Sequence, residues 1–183
     1  KFKLNTRSIE IETTRKDTYY SATMNQGNAE FGLTLPPAEI NLFLDKFNLS
    51  HDNLFADLPL EVVSTGLPYL IVPLTSGLEN IRHKNITYLL SQINAKFVYF
   101  YDVNKQEGRT WDNECLIEDI ATGSAAGPVG AYLIKYGLAQ ANETIIIQQG
   151  SFVNRPSEIQ VIEKDTNIYV SGDVCMVGSG KIL

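Results

Sequence analysis

Residues 123–136, Gly-Ser-Ala-Ala-Gly-Pro-Val-Gly-Ala-Tyr-Leu-Ile-Lys-Tyr, read as a helix with no strongly polar face before Lys135. Val129, Tyr132, Leu133 and Tyr136 form one apolar stripe at helical spacing. Ala125, Ala126, Gly127, Gly130 and Ala131 leave much of the remaining surface small and non-polar. A helix of this kind has to be buried nearly all round, and its small residues let strands approach the backbone closely. Gly137 suits the C′ position that ends it. Pro128 removes one backbone hydrogen bond unless it falls within the first turn.

The rest of the chain supplies strands to surround such a helix. Residues 2–5 and 8–14 read as strand, with Ile9 and Ile11 alternating against polar neighbours. Tyr19 to Met24 reads as another. Pro36 and Pro37 open a helix running to Phe47, with Ile40, Phe43, Leu44 and Phe47 at helical spacing. Residues 61–65 and 69–74 are strands flanking a tight turn that contains Gly66 and Pro68. A short helix over 85–93 and an aromatic strand over 96–103 follow. The last strands fall near 144–149, 157–163 and 167–177, with Gly172 as a bend or bulge. The fold class is therefore α+β, a curved, mostly antiparallel sheet wrapped around a central helix.

Composition excludes several function classes. The formal charge is −6 over 183 residues, with no basic cluster interleaved with aromatics, so neither nucleic acid nor an anionic membrane surface is an expected partner. No apolar run approaches the roughly 18 residues of a membrane-spanning helix. Cys115 and Cys175 show no CxxC spacing; a reduced, cytoplasmic protein is the plainest reading, and a single disulfide is the alternative. His51 and His83 stand in polar stretches, and no His/Cys/Asp group has the spacing of a metal site. The sequons at Asn48, Asn85 and Asn142 read as chance matches. Gly178-Ser179-Gly180-Lys181 lacks the first glycine and the final Ser/Thr of a phosphate-binding loop.

Chemistry concentrates just before the apolar helix, in Glu118-Asp119-Ile120-Ala121-Thr122-Gly123-Ser124-Ala125-Ala126-Gly127. The free N–H groups of a helix start bind anions, and Gly and Ala leave room for a small carboxylate to reach them. Asp119 stands beside that position. Neighbouring residues of an extended loop point to opposite sides, so at most one of Glu118 and Asp119 should face a site. The plainer alternative is that Thr122 and Ser124 merely cap the helix. Ser124 does not fit a nucleophile elbow, because Thr122 occupies the position of that motif's first glycine.

This run resembles the E-D-P-A-T-G-S-A-A-G signature of the PhzF-like (phenazine biosynthesis) family, with Ile120 in place of the proline. Two further segments match in order and spacing. Ser64-Thr65-Gly66-Leu67-Pro68 is similar to the family's S-T-G-x-P turn, and Gln149-Gly150 with Arg155-Pro156-Ser157 to its Q-G-x4-R-P-S segment. The resemblance implies the diaminopimelate epimerase-like fold, in which two lobes each wrap a curved sheet around a helix and the active site lies between them. In epimerases and racemases of that fold a catalytic cysteine precedes the Gly-Ser/Thr-Gly turn. Thr122 holds that position here, which favours the PhzF-like branch.

The resemblance further implies a cofactor-independent isomerase that moves a proton within a small unsaturated or amino acid. Asp119, Thr122, Gly123, Ser124 and Gly66 are then the substrate-binding residues for a small carboxylate-bearing metabolite. The family's catalytic glutamate and G-H-A-T segment belong to the first lobe, and no G-H-A-T occurs in this chain. On this reading residues 1–183 form one lobe, residues 1–14 and 178–183 belong with the absent one, and a homodimer or a partner chain covers the exposed edges. The rival reading is a non-catalytic small-acid binding or assembly module of the same fold.

Overall fold

The structure, a computed structural model, describes residues 2–3, 8–82, 84–114 and 116–181. His83 and Cys115 fall outside them, as do residues 1, 4–7, 182 and 183. The strands are β1 (Phe2–Lys3), β2 (Ser8–Ile9), β3 (Ile11–Arg15), β4 (Tyr20–Asn28), β5 (Glu30–Thr34), β6 (Glu61–Ser64), β7 (Pro68–Leu74), β8 (Phe97–Asp102), β9 (Glu107–Arg109), β10 (Ile145–Gln149), β11 (Ser157–Lys164) and β12 (Asn167–Val174). The helices are α1 (Pro37–Asp45), α2 (Thr87–Gln92) and α3 (Gly123–Lys135).

β1 and β2 pair separately; the other strands form one sheet in the order β3-β4-β12-β11-β10-β9-β8-β7-β6-β5. Among the described strands of that sheet, only β7 with β8 and β9 with β10 are parallel. β5 forms one end of this order and β4 stands next to the other, yet only Ala29 separates them in sequence. One nearly continuous strand thus pairs with β12 by its first half and with β6 by its second. That is possible only if the sheet curls back on itself. α3 lies inside the curl, and every residue from Ala125 to Leu133 is buried. The central helix and the wrapped α+β sheet are as the small and apolar residues of α3 demand.

Strands β6, β7 and β8 are buried on both faces, which explains their near-continuous apolar sequence. Val63, Ile71, Tyr99 and Tyr101 face α3. Val62, Leu70, Val72 and Phe100 alternate with them and pack against Phe43, Leu44 and Phe47 around α1. Close approach needs small residues on α3. A Cβ built on Gly130 would stand 2.5 Å from Cγ1 of Val161.

Several boundaries differ from the sequence reading. Pro128 lies in the interior of α3, beyond the first turn, so Ser124 C=O lacks the N–H that residue 128 would have donated. Gly172 is neither bend nor bulge: it pairs in regular register with Ala22. The sheet's irregularity opposite β12 sits instead at Gln26, which is skipped between the pairs Gly27–Ile168 and Asn25–Tyr169. β12 ends at Val174, and residues 178–181 form no strand. Gly137 adopts the left-handed φ of 72° expected after the helix.

Burial raises the pKa of Tyr99, Tyr101 and Tyr132 well above that of a free phenol, with neighbouring phenols and carboxylates adding to the effect. The unfolded chain therefore loses these protons first as pH rises. Stability should be level up to about pH 10 and fall above it. Urea unfolding in alkaline buffers checks this, and a stability that climbs with pH in that window contradicts it.

Candidate functional site

β9 leads out of the sheet into a loop that returns at Glu118, where Trp111 and Glu118 form an antiparallel bridge. The N–H of Asp119 then donates to Thr110 C=O at 3.0 Å. Arg109 holds the base of this excursion. Its Nε and Nη2 donate to the two carboxylate oxygens of Glu118 at 2.7 and 2.6 Å, and its guanidinium lies 4.6 Å from the ring centroid of Trp111 and 4.2 Å from that of Phe152. Glu118 is thereby committed to structure. Asp119 turns the other way and is exposed, so the two adjacent acids separate as the extended backbone requires.

The loop between Asp119 and α3 is fixed from within. Asp119 Oδ1 accepts the N–H of Ile120 at 2.8 Å, and Oδ2 accepts the Thr122 hydroxyl at 2.7 Å. Gln149, on β10 and 1% exposed, reaches in from the other side. Its Oε1 accepts the N–H of Thr122 at 3.1 Å and the hydroxyl of Tyr99 at 2.9 Å. Its Nε2 donates to Asp119 C=O at 2.7 Å and to Thr122 Oγ1 at 2.9 Å. Both the donors and the acceptor of this amide are used. Thr122 is the N-cap residue of α3, but its side chain makes no capping hydrogen bond. Its hydroxyl serves the Asp119 network instead, so plain side-chain capping does not describe it.

Gly123 and Ser124 supply the first N–H groups of α3, which have no intrahelical acceptor. The Ser124 hydroxyl is 2.8 Å from the hydroxyl of Tyr69. Burial raises the Tyr69 pKa, the hydrogen bond to Ser124 opposes this, and the charge of Asp119 adds to it, so the phenol stays protonated at neutral pH. Ser124 lines a cleft of about 280 Å³ together with Thr65, Gly66 and the apolar side chains of Ile9, Met24 and Leu67. Among the predicted site residues, the structure brings Ser124 and Gly66 into this cleft. Gly123 stands at the adjoining helix start, Thr122 is buried behind it, and Asp119 sits on the exposed loop that precedes it.

Sequence reasoning missed Gln26, Thr65 and Tyr69 as site residues. Gln149 carried a signal, as the first residue of the matched Gln-Gly segment, without an assigned role. Among the described residues, no group of three or more His, Cys, Asp or Glu is placed to hold a metal ion, and no helix is long and apolar enough to cross a membrane.

Residues 8–180 match the family described as PhzC-PhzF, phenazine biosynthesis-like protein. The chain is similar to an uncharacterized isomerase of Pasteurella multocida, 33% identical over 127 residues that cover 66% of this chain and 43% of that protein. It is also similar to the trans-2,3-dihydro-3-hydroxyanthranilate isomerase of Pseudomonas fluorescens, 33% identical over 87 residues, 42% of this chain and 31% of that enzyme. The solved structure of a predicted epimerase from Pseudomonas aeruginosa superimposes with a TM-score of 0.89 at 41% identity, covering 97% of this chain and 66% of that one. The chain spans less than two thirds of the length of these relatives. With the family match running through nearly every described strand and through the α3 loop, the chain belongs to the PhzC-PhzF, phenazine biosynthesis-like family.

Proposed function

We propose that this chain forms the acid-binding side of a cofactor-independent isomerase that shifts a proton within a small unsaturated amino or hydroxy acid. The observation that carries the reading is the rigidly held start of α3 opening on the 280 Å³ cleft. The N–H groups of Gly123 and Ser124, with the Ser124 hydroxyl, take the substrate carboxylate, and Asp119 accepts a hydrogen bond from its amino or hydroxyl group. Gly66 keeps the opposite wall low, and Thr122 holds the loop. The helix dipole adds about 0.3–1 kcal/mol to carboxylate binding, more where water is excluded.

Proton removal from carbon leaves negative charge that conjugation spreads toward the carboxylate. Fixed N–H donors at that carboxylate bind the charged transition state better than the ground state, which is how they accelerate the step. The proton then returns at a second carbon, with no net change in composition and no redox partner. Among the described residues lining the cleft there is no carboxylate, histidine or lysine, and the Tyr69 phenol is too weak an acid to be ionised at neutral pH. With Asp119 engaged by the substrate's amino or hydroxyl group, the base on this reading is supplied by a first lobe or a partner chain. The related dihydrohydroxyanthranilate isomerase supports a substrate that carries carboxylate, amino and hydroxyl groups on one small ring.

The absence of a base among the described residues lining this cleft favours one other reading, a non-catalytic acid-binding module. Exchange of a substrate carbon-bound proton with D2O separates the two, since a binder leaves that proton in place. Calorimetry on the natural protein with a panel of small cyclic and aromatic amino acids tests the cradle itself. Asp119→Asn keeps the size and most of the local hydrogen bonds, and should weaken binding by about 1–2 kcal/mol without unfolding the loop. Ser124→Ala should weaken it less, because the backbone donors remain. Parent-like binding by both variants contradicts the assignment.

A further inference from the structure

We infer that Gln26 is a positioning residue for the carboxylate cradle: a β-bulge turns it out of the sheet so that its amide holds the first peptide of α3. The inference rests on the reading of that helix start as an acid site.

The bulge is visible in the register. Gly27 opposes Ile168 and Asn25 opposes Tyr169, so Gln26 has no partner on β12. Gly27 takes a φ of +85°, open to glycine without strain, and its N–H donates to Asn25 Oδ1 at 2.8 Å. Bulges re-aim side chains, and here the Gln26 side chain is directed inward; the residue is 7% exposed. The Thr65 hydroxyl donates to Oε1 at 2.6 Å, which fixes the orientation of the amide. Nε2 then donates to Gly123 C=O at 2.9 Å. Gly127 leaves room for this arrangement, since a Cβ there would collide with Gln26 Oε1.

That carbonyl belongs to the same planar unit as the N–H of Ser124. Holding the oxygen from behind fixes the direction of the N–H toward the cleft. The helix start needs outside support. Gly123 is the least restrained residue for a first turn, and Pro128 withholds the bond that Ser124 C=O would otherwise receive. Gln26 supplies a tether from the sheet at this point, and Tyr69 tethers the Ser124 side chain.

The test uses the natural protein, anthranilate as the probe and anthranilamide as its uncharged counterpart, read by the Ser124 amide resonance and by calorimetry. In the parent, anthranilate should shift the Ser124 N–H. Gln26→Met retains the volume without the donor, and should weaken anthranilate about five- to tenfold while leaving anthranilamide binding unchanged. Thr65→Val, which frees the amide but leaves Gln26 in place, should show the same selectivity with a smaller loss. It serves as the test should Gln26→Met not fold. If the parent shifts and both folded variants bind anthranilate as it does, or lose both probes equally, Gln26 only supports the fold and the inference is overturned. If Ser124 in the parent responds to no acid, the cradle reading fails first, and this inference with it.

Discussion

Gln149→Leu is expected to lower the stability of the protein by about 3–5 kcal/mol and to abolish acid binding in the same step. The side chain is 1% exposed and makes four hydrogen bonds to Tyr99, Thr122 and Asp119. Leucine fills nearly the same volume, so cavity formation contributes little. The loss comes from the buried Tyr99 hydroxyl and the Thr122 N–H, both of which lose the amide oxygen as acceptor. Release of Asp119 C=O also frees the loop that presents the Asp119 carboxylate. Urea unfolding measures the first effect and calorimetry with anthranilate the second. A loss below about 1 kcal/mol would show that water enters and replaces the amide.

Glu118→Ala should destabilise the protein by about 3 kcal/mol or more, although its neighbour Asp119 is expected to tolerate substitution. The Arg109 and Glu118 side chains are 10% and 9% exposed. Removing the carboxylate leaves the guanidinium between Trp111 and Phe152, hydrogen-bonded to Leu78 C=O but without its counter-charge. The double variant Arg109→Met, Glu118→Leu removes both charges and should recover most of the loss. Chemical denaturation of the three proteins decides the matter. If the single and double variants are equally destabilised, packing rather than charge pairing holds the base of the loop.

These two acids show what was legible in the sequence. The alternation of an extended loop was enough to send Glu118 and Asp119 to opposite sides. Local pattern could not reveal that Arg109 would meet one of them, because the contact depends on how the intervening loop returns. α3 was legible because its composition leaves no face for water, and a helix of that kind admits few folds. β5 was not: all five of its residues are exposed, so Glu30–Thr34 carries no burial period. β9 is three residues long and is defined by long-range partners on β8 and β10. The bulge at Gln26 depends on register with residues more than 140 positions away, whereas Gly172, which looked like an irregularity, lies where a Cβ would meet nothing within 4 Å. Thus the proposed cradle at residues 122–124 could be read from Thr-Gly-Ser before an apolar helix, while the hydrogen bonds that the Gln26 and Gln149 amides make to this segment required the fold.

A crystal structure of the natural protein with anthranilate tests the central claim most directly. The expected result is a carboxylate at the start of α3, with one oxygen within hydrogen-bonding reach of both the Gly123 and Ser124 nitrogens, about 2.7–3.2 Å, and the amino group on Asp119. Anthranilate bound in another part of the molecule, with water on those two nitrogens, contradicts it.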